Sequence, residues 1–183
     1  MGTPDLTCSD RRPLRLEGSP VKVQYDKNVP ADPTGIFGMM TNEEFLRGYA
    51  AAGAVKFDVD VHHADGVTTT RVSRTLPTAR MPAVARRFVG PTIDLVEIVA
   101  WSMMRADTWH GDAAVDIAVS GRDARFRGRA AIEPGQPGTR YTLTGDVVIK
   151  LPLVGGTVEK LAADALLKAV DAQLLAAAQH AAG

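Results

Sequence analysis

The chain has 183 residues, 45% hydrophobic and 23% charged, with 21 basic residues balancing 21 acidic ones. That composition suits one folded domain, and the zero net charge removes the basic footprint a nucleic-acid binder carries. The single cysteine, Cys8, cannot close an internal disulfide, and no apolar run reaches membrane-spanning length, so a cytoplasmic location without an integral membrane segment is expected.

Residues 1–20 mix Pro, Gly, Ser and opposite charges without an apolar period, and they read as a disordered tail before a domain spanning 21–183. Apolar residues alternate in Val21-Lys22-Val23-Gln24-Tyr25, as in a half-buried strand. Asp32-Pro33 then places a capping carboxylate before a proline suited to a first helical turn, with Ile36, Phe37, Met39 and Met40 as apolar surface. Thr41 with Glu44 has the spacing of a capping box, which opens a second short helix through Phe45, Leu46 and Tyr49 and stops it at Gly53.

Val55, Phe57, Val59 and Val61 alternate with polar residues, and Asp65-Gly66 is a two-residue hairpin signal. A turn there sets Asp60 across from Arg71 on an outer face and Val59 across from Val72 on the buried one. Residues 77–91 break the pattern, with Met81, Val84, Ala85 and Phe88 at helical spacing. Strand character returns from Thr92 to Met103, whose bulkier face is Ile93, Leu95, Val99, Trp101 and Met103. A turn at Gly121-Arg122 pairs Ile117 with Phe126 and Asp116 with Arg127. A turn through 133–138 pairs Ile132 with Tyr141, Arg127 with Asp146 and Gly128 with Gly145, and glycines side by side mark a sharp bend. The last element is a helix from about Thr157 to His180. Lys160, Asp164, Lys168 and Asp171 form its solvated edge, and Ala162, Ala165, Ala169, Ala172 and Ala176 run along the opposite face.

This order of elements resembles the helix-grip fold of the START-like, birch-pollen-allergen-like (SRPBCC) superfamily. Within it, residues from Val21 to about Ala177 resemble an uncharacterised actinobacterial family through Arg86-Arg87-Phe88-Val89-Gly90 and the junction Ile149-Lys150-Leu151-Pro152-Leu153-Val154-Gly155-Gly156 leading to Glu159. The resemblance implies an α+β fold in which a seven-stranded curved antiparallel sheet wraps a long C-terminal helix. It also implies a cavity of the kind that in relatives holds lipids, steroids or polyketides, and some of those relatives are cyclases or aromatases.

Catalytic and metal motifs are not legible. His62 and His63 are neighbours on a strand and point to opposite faces, His110 falls in a predicted turn and His180 near a helix end, so no metal set is expected. Thr34 to Gly38 contains glycines but lacks the lysine of a phosphate loop, and no cofactor is expected. Arg125, Arg127 and Arg129 form a stripe that Asp116 and Asp146 neutralise, which suits a solvated face rather than a nucleic-acid surface. Polar residues in the buried register carry more information. Arg74 lies in line with Val72 and Leu76, Glu97 between Leu95 and Val99, and Gln173 in the apolar arc of the last helix. Arg74 and Glu97 either pair at a cavity wall or are turned to water by a strand end or bulge. The cavity-lining candidates are Phe57, Arg74, Glu97, Trp101, Phe126, Tyr141, Ala169 and Gln173.

The expected function is binding or carriage of a small apolar molecule by a monomer or weak oligomer, with no catalytic residue assigned. A cyclase-type enzyme in which Arg74, Glu97 or Tyr141 steers protons is the alternative, and an interaction protein with a vestigial cavity is a third. Residues 80–89 read as an ordinary connection that caps the core, or as a lid able to touch a membrane surface transiently.

Overall fold

The structure, a computed structural model, describes residues 20–79, 81, 83–86, 89–119, 122–149 and 155–181. The predicted tail before residue 20 and the Lys150–Val154 part of the junction lie outside these residues, as do Arg87 and Phe88 of the other family segment. The elements follow in the order β1 (Val21–Val29), α1 (Pro33–Met40), α2 (Glu43–Ala51), β2 (Lys56–Ala64) and β3 (Val67–Pro77). They continue with α3 (Ala83–Arg86), β4 (Thr92–Arg105), β5 (Thr108–Val119), β6 (Arg122–Pro134), β7 (Thr139–Ile149) and α4 (Gly155–Ala181). All strands pair antiparallel in one sheet ordered β1-β7-β6-β5-β4-β3-β2, the helix-grip arrangement expected from the sequence.

Turn chemistry sets the first hairpin. Asp65 and Gly66 both have positive φ, so Asp60 faces Arg71 and Val59 faces Val72 as the alternation requires. The third hairpin also agrees, with Ile132 opposite Tyr141 and Gly128 opposite Gly145. The second does not. Asp116 lies opposite Arg125 and Phe126 opposite Val115, a slip of two residues from the expected pairing of Asp116 with Arg127 and Ile117 with Phe126. A slip of two leaves every side chain on its own face, so hydrophobic alternation is blind to it. Arg125, Arg127 and Arg129 are exposed, as an outer face demands.

The paired glycines have a concrete cause. The Phe126 ring lies over Gly128 and Gly145, where a Cβ on either would collide with it and with a neighbouring carbonyl oxygen. Gly111 does the same for Trp101, whose ring would stand 2.8 Å from a Cβ there. Both aromatics therefore lie against the inner sheet surface instead of projecting from it.

Caps correct two local expectations. Asp32 Oδ1 accepts from Gly35 N at 2.9 Å as anticipated, but α2 is capped by Asn42, whose Oδ1 accepts from Phe45 N at 2.8 Å. Thr41 instead donates back to Phe37 O, finishing α1. His110 lies within β5 and not in a turn; the chain reverses at Ala106-Asp107, where Asp107 takes positive φ. Of the 77–91 segment, the described part includes the single turn α3 and a closure in which Thr78 bonds the carbonyls of Pro91 and Gly90.

The C-terminal helix is rotated from its expected orientation. Ala163, Leu174, Ala177 and Ala178 are buried, whereas Ala165 and Ala172 are exposed and Ala162, Ala169 and Ala176 half-buried. The alanine column thus lies on the flank, not on the central buried line. The reason is side-chain size: Leu174 supplies more apolar area than any alanine and, with Leu166, Leu167 and Val170, draws its own line onto the core. The close backbone neighbours of α4 are α1, β1 and β7, and α2 covers β2 and β3. Two clusters of buried residues result, one under α1 and α4 and a smaller one of Leu46, Ala50, Val59 and Val72 under α2.

Candidate functional site

On the inner face of β4, Leu95, Glu97 and Val99 are half-buried, Leu95 and Val99 packing against the larger cluster. On β3 the same face carries Thr70, Val72 and Arg74, and the register sets Val72 beside Glu97 and Arg74 beside Leu95. Arg74 Nη2 reaches Glu97 Oε1 at 2.6 Å, and the two side chains are 8% and 17% exposed. The guanidinium also stacks 4.6 Å over the ring of Tyr49 from α2 and donates to its hydroxyl at 3.2 Å. The pair is interior, and only a small part of either side chain reaches solvent.

Burial and charge set the protonation of this group. Burial pushes the Glu97 carboxyl above its ordinary value, against the pull of Arg74. Burial opposes the charge on Arg74, yet Glu97 and Tyr49 outweigh it and the guanidinium is held more firmly cationic. Tyr49 is pushed up to about 12 by burial and then by Glu97. Tyr141, on β7, is raised by burial and by the charges of Glu97 and Tyr49, so it lies within electrostatic reach of the pair. Both phenols stay protonated at neutral pH. Among the described residues the Tyr141 hydroxyl has no hydrogen-bond partner, and Arg74 Nε is sealed without one.

The flanks of α4 can be assigned by their contacts. Asp171 accepts from Tyr25 Oη and Lys27 Nζ, each at 2.6 Å, so that flank faces β1. His180 packs edge-on against Phe45 of α2, with ring centroids 5.5 Å apart. Ala162, Ala169, Gln173 and Ala176 share the flank of His180 and are half-buried there, Ala162 packing against the main core.

A recess of about 370 Å³ lies at the open end of the sheet, bounded by the β2–β3 turn, Phe37 of α1, Trp101, Met103 and Trp109. A second recess, about 400 Å³, lies on the outer sheet face around Ser102, His110, Thr142 and Thr144.

The sequence candidates thus divide. Arg74 pairs with Glu97, whose charge Tyr141 also feels, while Ala169 and Gln173 are half-buried on the flank of α4. Trp101 bounds the end recess, and Phe126 is folded flat on its glycines in the core. Phe57 shares the inner face with Arg74, but it is on the edge strand and 39% exposed. Tyr49 was missed: its helical spacing marks an apolar face and carries no sign of the ion pair it covers. Among the described residues no group of three or more His, Cys, Asp or Glu is placed to hold a metal ion. None of the described helices is long and apolar enough to cross a membrane.

Sheet order, the two short helices after β1 and the C-terminal helix define the helix-grip fold. Solved structures agree on the fold. TTHA0849 from Thermus thermophilus superposes with a TM-score of 0.57 at 19% identity, over 88% of this chain and 97% of that one. Human STARD10 gives 0.57 at 11% identity, over 90% and 66%. Dicamba monooxygenase bound to 3,6-dichlorosalicylic acid gives 0.52 at 14% identity, over 87% and 49%. No curated protein sequence matches the chain significantly. Residues 24–179 match the family described as protein of unknown function (DUF2505), and the chain belongs to that family.

Proposed function

We propose that this protein binds or carries a small, mainly apolar molecule, held by a polar end at Arg74, Glu97 and Tyr49 and by apolar surface between α4 and β4. The observation that carries this reading is the solvent-reachable ion pair on the inner face of the sheet. A pair kept only for stability gains little over packed apolar residues, whereas one beside empty space can orient a ligand's polar group. Fold likeness supports it: one of the matched structures, dicamba monooxygenase, is bound to 3,6-dichlorosalicylic acid.

The two phenols serve this reading as hydrogen-bond donors. With Tyr49 raised to about 12 and Tyr141 raised as well, neither releases its proton at neutral pH. Both remain hydrogen-bond donors, which suits an uncharged oxygen on the ligand. Transient membrane contact through residues 80–89 and a monomeric or weakly oligomeric state belong to the same proposal.

Native mass spectrometry of the purified protein, followed by solvent extraction, tests the reading. A small apolar adduct is expected, and Ala169→Leu, which adds bulk on the half-buried flank of α4, should lower its occupancy. Absence of any adduct, with no thermal stabilisation by added aliphatic ketones, would overturn it.

A further inference from the structure

The two tryptophans of this chain are eight positions apart and on different strands, yet both bound one recess. The register explains the meeting: Trp101 faces Gly111 and Met103 faces Trp109, so both indoles fall on the inner face at the end of the sheet. Phe37 completes the wall. Its ring stacks on Trp109 with centroids 4.7 Å apart and meets Trp101 edge-on at 6.4 Å. The glycine beneath Trp101 lets its ring lie flat, which keeps the space above it free.

Each tryptophan is 3% exposed, and among the described residues neither indole N–H has a hydrogen-bond partner. Buried tryptophans ordinarily satisfy that donor. The sealed polar atoms left unpaired among the described residues are Ser73 Oγ and Arg74 Nε, and neither indole nitrogen is among them. The recess therefore combines aromatic surface with donors that have no protein acceptor. Its volume of about 370 Å³ lies at the small end of ligand sites, enough for one ring system and too little for a peptide helix.

The recess is also continuous in register with the interior. Along the paired inner faces of β3 and β4 the sequence of pairs is Thr68 with Trp101, Thr70 with Val99, then Val72 with Glu97. Four residues of strand separate Trp101 from Glu97, a span of roughly 13 Å. We propose that the recess bounded by Phe37, Trp101 and Trp109 is a subsite for a planar, weakly polar ring bearing an oxygen acceptor, at the opposite end of the ligand from Glu97. This rests on the interior being a ligand site and adds the chemical class of the ligand.

Three probes separate the two readings: 2-acetylnaphthalene (ring with carbonyl), 2-ethylnaphthalene (ring alone) and 2-decanone (no ring). Binding is followed by calorimetry and by tryptophan quenching, since both reporters bound the recess. The naphthyl ketone should bind and quench. Trp109→Leu should weaken it about fivefold and leave 2-decanone within about twofold, because stacking is lost while apolar volume is largely kept. Trp109→Phe, a gentler change, should weaken the ketone about threefold and leave 2-ethylnaphthalene unchanged, reporting the lost N–H donor. If 2-decanone binds but the naphthyl ketone does not, or if neither Trp109 variant affects the ketone, the ring subsite is overturned and the interior reading stands. If none of the probes binds, both fall together.

Discussion

Arg74 and Glu97 are the residues whose chemistry departs furthest from their surroundings, and substitution should treat them unequally. Arg74→Met leaves a buried carboxylate without its cation and should destabilise by about 3 kcal/mol, whereas Arg74→Met with Glu97→Met should cost clearly less. A double-mutant cycle by chemical denaturation, with Glu97→Met alone as its fourth corner, checks this, and a double-variant cost equal to the sum of the two single costs would mean the pair contributes no coupling. Acid should separate Glu97 from Asp171. Lys27 and Tyr25 hold the Asp171 carboxyl below its ordinary 3.8, so its contribution is present above that pH and is lost as pH falls through the lower folded value. Glu97 has the opposite sign. Its folded value is raised above 4.5, so its contribution is fullest at low pH and fades as pH climbs through the folded value. Melting temperature against pH should therefore lose part of its acid-side fall in Asp171→Asn, the rest remaining with Asp26, and part of its decline above 4.5 in Glu97→Gln. Unchanged profiles in both would contradict the contacts described.

At the scale of elements, the sheet was legible and its fine register only in part. Period-two alternation fixes which face is inner, and the Asp65-Gly66 turn fixes a register, so the β2–β3 pairing follows from sequence. At β5–β6 no comparable turn signal pins the pairing, and a slip of two residues costs the alternation nothing. The orientation of α4 was obscured because alanines occur almost all the way round the helix, leaving the larger Leu174 and Val170 to decide. That difference is measurable. Leu174→Ala should cost about 2–5 kcal/mol, while Ala165→Leu and Ala172→Leu should stay within about 0.5 kcal/mol. The reverse ranking would restore the alanine column to the core. Gly128→Ala should be costly too, by about 1–3 kcal/mol or more, because Phe126 and a backbone oxygen occupy the place of the new methyl. Phe126→Leu in the same chain should recover part of that loss, which a purely conformational effect of removing glycine would not allow.

At the scale of the whole molecule, the question is whether the space between α4 and β4 is occupied. Arg74 and Glu97 could be suspected from the sequence because their polarity breaks an apolar register. Tyr49 and the Trp101–Trp109 recess could not, since they arise where separate elements meet. Two observations bear on the space itself: α4 has α1, β1 and β7 as its close neighbours, and Leu95, Glu97 and Val99 on the inner face of β4 remain half-buried. A domain of this size normally seals such a face, since leaving apolar area wet forgoes about 25 cal/mol per Å². On the proposed binding function that area is available to a ligand, and binding should raise the melting temperature by mass action. Ala169 is half-buried and not part of the sealed core, so it discriminates between an empty and a filled interior. If the interior is open, Ala169→Leu should change the melting temperature of the ligand-free protein little and should shrink the stabilisation given by saturating 2-decanone. If the interior is packed, the added methylenes should overpack it and destabilise by about 1–3 kcal/mol, with no ligand effect to lose. Melts of both forms with and without 2-decanone distinguish these outcomes, and a destabilised variant of a protein that never responded to the ketone would remove the basis for a binding function.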